Sequence, residues 1–242
     1  MKGSEGLEAE DSIEPILKQG TWGIGFIGLA ETLYSLLGCH HGESQEAREL
    51  GLRIVGFIRE YTDRLIEETK LNWSCYATPA EGLSGKFIKK DKKIFGIIKG
   101  VTDKEYYTNS FHIPVNYNIS IKDKIDIEAP YHKLCNAGHI SYIEVDDSPS
   151  PENIMDIINY AYKHTNISYI GVNFHIRYCK DCGETLLSNE SKCPKCNSRD
   201  IQGVSRVTGY LSLDERFGPG KYEERIDRKS HTGSYKNNYQ VL

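Results

Sequence analysis

The sequence predicts an α/β fold followed by a small metal-binding module. Three observations predict it. Helix-like and strand-like stretches alternate over much of residues 20–176, four of the seven cysteines fall in two CxxC pairs, and the cleanest boundary lies near residue 177, where the cysteine-bearing stretch begins. At 242 residues the chain is long enough for one large domain or one domain plus a small module. Its formal net charge of −4 and pI near 6.1 argue against a general nucleic-acid or membrane-surface binder, so no direct nucleic-acid binding is expected. No run approaches the roughly 18 consecutive apolar residues that span a bilayer. The opening MKGSEGLEAEDSIEP is acidic and polar, unlike a signal or transit peptide, and the expected location is cytoplasmic.

Taken in order, residues 1–12 read as a flexible leader. The apolar stretch Thr21–Leu37 places Phe26, Leu29, Ala30, Leu33 and Leu37 at helical spacing, and most of it is expected to be a buried helix opened by a glycine-rich turn and stopped by Gly38. Glu43–Leu71 predicts a long amphipathic helix, with Leu50, Ile54, Ile58, Tyr61 and Leu65 repeating near 3.6. Asn72–Thr78 alternates as a strand does, and Pro79 ends it. Ala80–Phe87 is a loop of small residues, and the lysine-rich 88–100 is expected to be a hairpin or loop. A polar-aromatic run, Tyr106–His112, precedes a strand-like Ile113–Tyr117. A helix-to-strand passage covers Tyr131–Val145, a further helix about 151–164, and a strand Ile167–Ile176. The expected divisions are the leader 1–12, an α/β part 13–176, a cysteine knuckle 177–200 and a C-terminal stretch 201–242.

Cys179, Cys182, Cys193 and Cys196 form C-x2-C-x10-C-x2-C. Each CxxC turn presents two thiolates on one side of a knuckle, and four soft ligands suit tetrahedral zinc; an iron centre fits the same four-sulfur set. Lysines 180, 192 and 195 can offset the charge of a tetrathiolate centre. With every position filled by protein, such a site is closed and structural. The remaining cysteines, Cys39, Cys75 and Cys135, are scattered ahead of it.

Ten residues past Cys196 the chain reads Arg206-Val207-Thr208-Gly209-Tyr210. This pentapeptide resembles the RVxGY signature of glycyl-radical enzymes. Glycine suits a Cα-centred radical, because the carbon must flatten between two amides and no Cβ obstructs it. Taken alone, the five residues are equally a strand with a glycine at a bulge. The rest of the chain adds GFIGLAETL (25–33), HHGES (40–44), ATPAEGLSGKF (77–87), GVTDKEYYTNSFHIPV (100–115) and EAPYHKLCNAGHISYIE (128–144). In this order, and followed by the knuckle and RVTGY, they resemble the anaerobic ribonucleoside-triphosphate reductase family from about residue 13 to about residue 232.

That resemblance implies the C-terminal portion of a ten-stranded α/β barrel of the glycyl-radical enzyme type, with a zinc-ribbon module and a glycyl-radical loop. It implies a stored radical on Gly209, generated with S-adenosylmethionine by a separate iron–sulfur activase. A thiyl radical on a finger-loop cysteine would then take the 3′ hydrogen of a ribonucleoside triphosphate, with formate or a thiol carrier as reductant. Full-length members carry the finger-loop cysteine in a longer N-terminal part. The expectation is therefore that this chain acts with such a part, or with a homodimer partner, and is inactive alone. A truncated, non-catalytic fragment, a zinc-ribbon binding module and a spare glycyl-radical subunit are the competing readings.

The loop of Thr78, Ala80, Glu81, Gly82 and Ser84 is the candidate cradle for substrate phosphates, since it offers small residues, amides and hydroxyls beyond a strand end; an ordinary strand-to-helix turn is the alternative. Tyr107, Asn109, Ser110 and His112 are candidates for the same cavity. Individually these four, with His132 and His139, read more readily as satisfied buried polar residues than as catalytic groups, and His40 and His41 read as structural or surface.

Overall fold

Two short parallel strand pairs and one antiparallel sheet make up the frame of the computed structural model, which describes residues 6–145, 149–187 and 190–231. The first five residues of the expected leader and the tail beyond His231 lie outside the described residues. The predicted mixed α/β class holds. No helix among the described residues is long and apolar enough to cross a membrane.

A single helical turn, α1 (Glu14–Leu17), leads into β1 (Thr21–Phe26), α2 (Leu29–Leu37), α3 (Gln45–Thr69) and β2 (Asn72–Ala77). Strands β1 and β2 run parallel, from Thr21 opposite Asn72 to Phe26 opposite Ala77, with α2 and α3 as the crossover. The expected helix over Thr21–Leu37 is thus a strand in its first half. The misleading feature was glycine: a Cβ at Gly23 or Gly25 would come within 2.6 Å of the Tyr76 ring, so these residues make room for a cross-strand aromatic and do not form a turn. Helix α2 ends at Gly38, as expected.

Ser44 caps α3, its hydroxyl accepting from the Ala47 amide at 3.1 Å. Burial on α3 centres on Ala47, Gly51, Val55 and Thr62, one position away from the expected stripe, and Tyr61 is exposed. Small residues occupy the centre because the helix presses against β2 and against Tyr131.

Helix α4 (Leu83–Phe95) occupies residues expected to be loop and lysine hairpin. Lysine is a good helix former, Ile88 is buried, Lys92 and Lys93 sit by the C-terminal carbonyls, and Gly96 stops the helix with φ +76°. No strand forms over 113–117: Pro114 has no N–H to give a ladder, and the Ile113 amide donates instead to Glu128 (3.0 Å). Helix α5 (Ile121–Leu134), capped by Ser120, begins ten residues before the expected passage at Tyr131, and an internal Pro130 hid it. Then follow β3 (Ser141–Glu144), α6 (Pro151–His164), which matches its expected span, and β4 (Ile170–Asn173), parallel to β3. The single strand expected over Ile167–Ile176 divides, because β5 (Ile176–Cys179) leaves for another sheet. That sheet has the order β6-β5-β7-β8, with β6 (Thr185–Leu186), β7 (Ile201–Arg206) and β8 (Leu211–Leu213); helix α7 (Pro219–Asp227) closes the described chain.

Two cores flank α5. Tyr131 packs with Leu29, Leu33, Val55, Cys75 and Phe111, whereas Ile121 and Ile125 pack with Ile143, Val145 and Ile157.

Candidate active site and metal centre

The four knuckle sulfurs all lie within 4.8 Å of one another, with Cys179 and Cys196 3.6 Å apart and Cys182 and Cys193 3.5 Å apart. A tetrahedral zinc with Zn–S near 2.3 Å needs sulfurs about 3.8 Å apart, so the donor set fits such an ion. The two turns repeat one device. Gly183 donates its amide to the Cys179 carbonyl (3.0 Å) and Asn197 to the Cys193 carbonyl (2.8 Å), both from left-handed backbone. Of the lysines expected to offset charge, Lys180 pairs with Glu215 (3.1 Å) and Lys195 with Glu184 (2.9 Å). Because β5 pairs with β7, the cysteine knuckle is fastened to the strand that leads to Gly209.

Residues Val207–Tyr210 form the turn between β7 and β8, the Val207 amide donating to the Tyr210 carbonyl at 2.9 Å. Gly209 is exposed at its tip. Its φ is not in the left-handed region, and a Cβ there would meet nothing within 4 Å. Neither backbone strain nor close packing accounts for glycine at this position.

The turn faces a cavity of about 160 Å³ lined by Thr78, Asn109, Ser110, His112, His139 and Gly209, with Tyr142, Tyr169 and Arg206 also on its wall. Ser110 holds a left-handed φ of +44°, uncommon for a residue with a side chain. The other singled-out residues lie off this wall. Ala80 is buried, its amide donating to Asn109 Oδ1 (2.9 Å). Glu81 accepts from the Thr208 hydroxyl (3.4 Å) and the Tyr210 hydroxyl (3.1 Å). Gly82 precedes α4, which has no side-chain cap, and Ser84 Oγ is buried without a hydrogen-bond partner. Tyr107 donates to Asp91 (2.8 Å) beside a separate groove, and His132 meets Ser141 (3.0 Å) in the interior. His40 and His41 are buried, and His41 bonds the Phe111 carbonyl (2.8 Å), a structural role. Cys39, Cys75 and Cys135 do not line the cavity.

Sequence reasoning passed over the groups that set the charge here. Arg206 pairs with Glu144 at 2.8 Å, and its guanidinium lies 3.6 Å from the centre of the Tyr142 ring. Burial would push the Glu144 carboxyl up, but Arg206 and Arg228 outweigh it and hold it at about 2. Burial pushes His112 down to about 4, so its neutral ring contacts the Ile140 carbonyl at 2.7 Å. The largely apolar wall therefore carries a neutral His112 and an Arg206 already matched by a carboxylate.

The mixed α/β fold matches that of solved anaerobic ribonucleotide reductases. A solved anaerobic ribonucleotide reductase superposes with a TM-score of 0.78 at 21% identity, covering 88% of this chain and 34% of that one. The Thermotoga maritima enzyme with glycerol in its active site superposes at 0.71, over 84% of this chain and 32% of that one. In sequence, the anaerobic ribonucleoside-triphosphate reductase of Escherichia coli (strain K12) is 40% identical over 241 residues, covering 94% of this chain and 34% of the relative. That of Enterobacteria phage T4 is 35% identical over 237 residues, covering 93% and 37%. The family model described as anaerobic ribonucleoside-triphosphate reductase matches residues 1–231. The chain belongs to the anaerobic ribonucleoside-triphosphate reductase family, and it spans about a third of the length of the curated relatives it matches.

Proposed function

We propose that this chain is the radical-bearing C-terminal component of an anaerobic ribonucleotide reductase that converts ribonucleoside triphosphates to deoxyribonucleoside triphosphates in the cytoplasm. The observation that carries the reading is Gly209: it sits at an exposed turn tip and lines a cavity, where neither packing nor backbone conformation calls for glycine. A Cα radical supplies the missing reason, since only glycine flattens between its two amides without a side chain in the way. A separate activase with an iron–sulfur cluster takes the Cα hydrogen using S-adenosylmethionine, and the cavity becomes the face on which radical and substrate meet.

The pairs β1–β2 and β3–β4 are segments of the ten-stranded barrel. The two thirds of the relatives' length that this chain does not match, joined to it or supplied as a second chain, provide the remaining strands and the thiyl cysteine. Thr78, Glu81 and the uncapped start of α4 at Gly82 and Ser84 face the substrate phosphates, with Ala80 holding the loop to Asn109. Cys179, Cys182, Cys193 and Cys196 hold a structural zinc that fixes β5 against β7.

Anaerobic incubation with a family activase, S-adenosylmethionine, a reductant and the N-terminal part tests this. A glycyl doublet in the electron paramagnetic resonance spectrum, air cleavage at residue 209, and loss of both in Gly209→Ala are expected. Absence of a doublet with every component present would overturn the assignment.

A further inference from the structure

We propose that Tyr142 is a positioning residue for Gly209: its hydroxyl holds the Thr208–Gly209 peptide plane in the orientation that the radical carbon needs. The proposal rests on the radical reading of Gly209 given above. Its geometric basis is independent of that reading.

The Tyr142 hydroxyl donates to the Thr208 carbonyl oxygen at 2.7 Å. That oxygen belongs to the peptide unit whose nitrogen is Gly209's own. A carbon radical at Gly209 is stabilised only while its half-filled orbital overlaps the π-systems of the amides on both sides. A hydrogen bond to the carbonyl fixes one of those planes. Gly209 itself is exposed and meets nothing on its Cβ side, so what restrains it acts through its neighbours Thr208 and Tyr210.

Three further contacts aim the phenol. Arg206 stacks its guanidinium 3.6 Å from the centre of the Tyr142 ring, and a cation over a phenol makes its hydroxyl a stronger donor. Glu144 is two residues along β3 and so on the same face; it holds Arg206 at 2.8 Å. β3 thus holds Arg206 and Thr208, both just ahead of Gly209, from two neighbouring positions on one face. The third contact is across the pair, where Tyr142 lies opposite Gly171 of β4. A Cβ on Gly171 would come within 3.1 Å of the Tyr142 ring, so the absence of a side chain leaves the ring its place. Burial keeps the phenol above its ordinary range even beside Arg206, so it remains a protonated donor at every physiological pH.

The test uses Tyr142→Phe, which keeps the ring and removes only the hydroxyl, and Gly171→Ala, which displaces the ring and keeps the hydroxyl. Two readouts are taken. Amide exchange of the 207–211 peptide in the full chain, followed by mass spectrometry, needs no radical. The doublet formed with activase, S-adenosylmethionine and the N-terminal part reports the geometry at Gly209. Both variants are expected to exchange this peptide roughly fivefold faster, the factor that corresponds to one ordinary hydrogen bond. Both should also give a doublet of altered splitting or reduced yield, with the overall melting transition unchanged. Exchange, splitting and yield all equal to wild type in Tyr142→Phe would overturn the positioning role. Faster exchange in the variants with no doublet even in wild type would uphold the hydrogen bond's hold on the turn and sink the radical reading instead.

Discussion

The Tyr210 hydroxyl donates to the Glu81 carboxylate at 3.1 Å, joining the turn that carries Gly209 to the loop that follows β2. Thr208 donates to the same carboxylate at 3.4 Å, so one side chain fastens both neighbours of the glycine. Tyr210 is half exposed, and exposed contacts of this kind contribute little to global stability, on the order of 0.5 kcal/mol. Glu81→Ala should therefore leave the melting temperature within about 3 °C of wild type while freeing the turn. Limited proteolysis is the measurement. Cleavage within 207–211 should quicken several-fold, and an unchanged rate would mean that Glu81 does not restrain the turn.

Acid should unfold this chain earlier than its carboxylates alone require. Burial holds His41 and His112 at about 4, against about 6.5 in an unfolded chain. Between those values the unfolded state binds more protons than the folded one, so stability rises with pH across the window and falls as pH drops below 6.5. At pH 5 the loss is about 2 kcal/mol for each histidine. Glu144 and Glu128 act in a lower window. Burial is outweighed by their cationic neighbours and both stand at about 2, so their contribution is intact above about 4.5 and is lost as pH falls towards 2. Urea titrations at pH 7, 6 and 5 should show this fall, and His41→Gln with His112→Gln should flatten it. A slope unaffected by the two substitutions would assign the acid sensitivity elsewhere.

What the sequence made legible followed local patterns. Helices α3 and α6, strand β2, the stop at Gly38 and the cysteine spacing each announce themselves within a few residues. Strand β1 was misread because Gly23 and Gly25 answer to Tyr76, some fifty residues away, and α5 because Pro130 lies inside it. In α4 the lysines that suggested a loop are ordinary helix formers on an exposed face. The candidate cavity divides in the same way. Thr78, Asn109, Ser110, His112 and Gly209 all lie in quoted motifs, and their meeting follows from family resemblance, with no local period to announce it. The contacts of Tyr142, Glu144 and Arg206 join residues more than sixty apart, and no single-segment pattern encodes them.

Removing the metal should loosen the turn as well as the knuckle. The four cysteines close a sheet in which β5 pairs with β7 and β7 with β8, and the turn is the β7–β8 connection. Chelation, or Cys193→Ser, should lower bound zinc from about one per chain to near zero. Amide protection should then fall across 176–213 while that of α3 and α5 persists. Metal analysis with hydrogen exchange reads both, and retention of protection in β7 after metal loss would show that the sheet stands without its ion.

Gly220 should tolerate no side chain. A Cβ there would lie 3.1 Å from both the Gly85 Cα and the Glu105 carbonyl oxygen, and backbone atoms on two sides cannot rotate away as a side chain would. The start of α7 would have to move off α4. That movement carries Lys221 and Glu224, a buried ion pair, and Glu224 accepts from Asn109 Nδ2 at 3.3 Å. Asn109 in turn holds the Ala80 amide and lines the cavity that Gly209 faces. Gly220→Ala is therefore expected to cost about 1–3 kcal/mol, the range for overpacking a close contact. It should also speed amide exchange in 78–82, which α7 reaches through Glu224 and Asn109. Gly218→Ala is the control: a Cβ there meets nothing within 4 Å, so both measurements should stay at wild-type values. Equal behaviour of the two variants would show that α7 is free to shift and does not brace the loop.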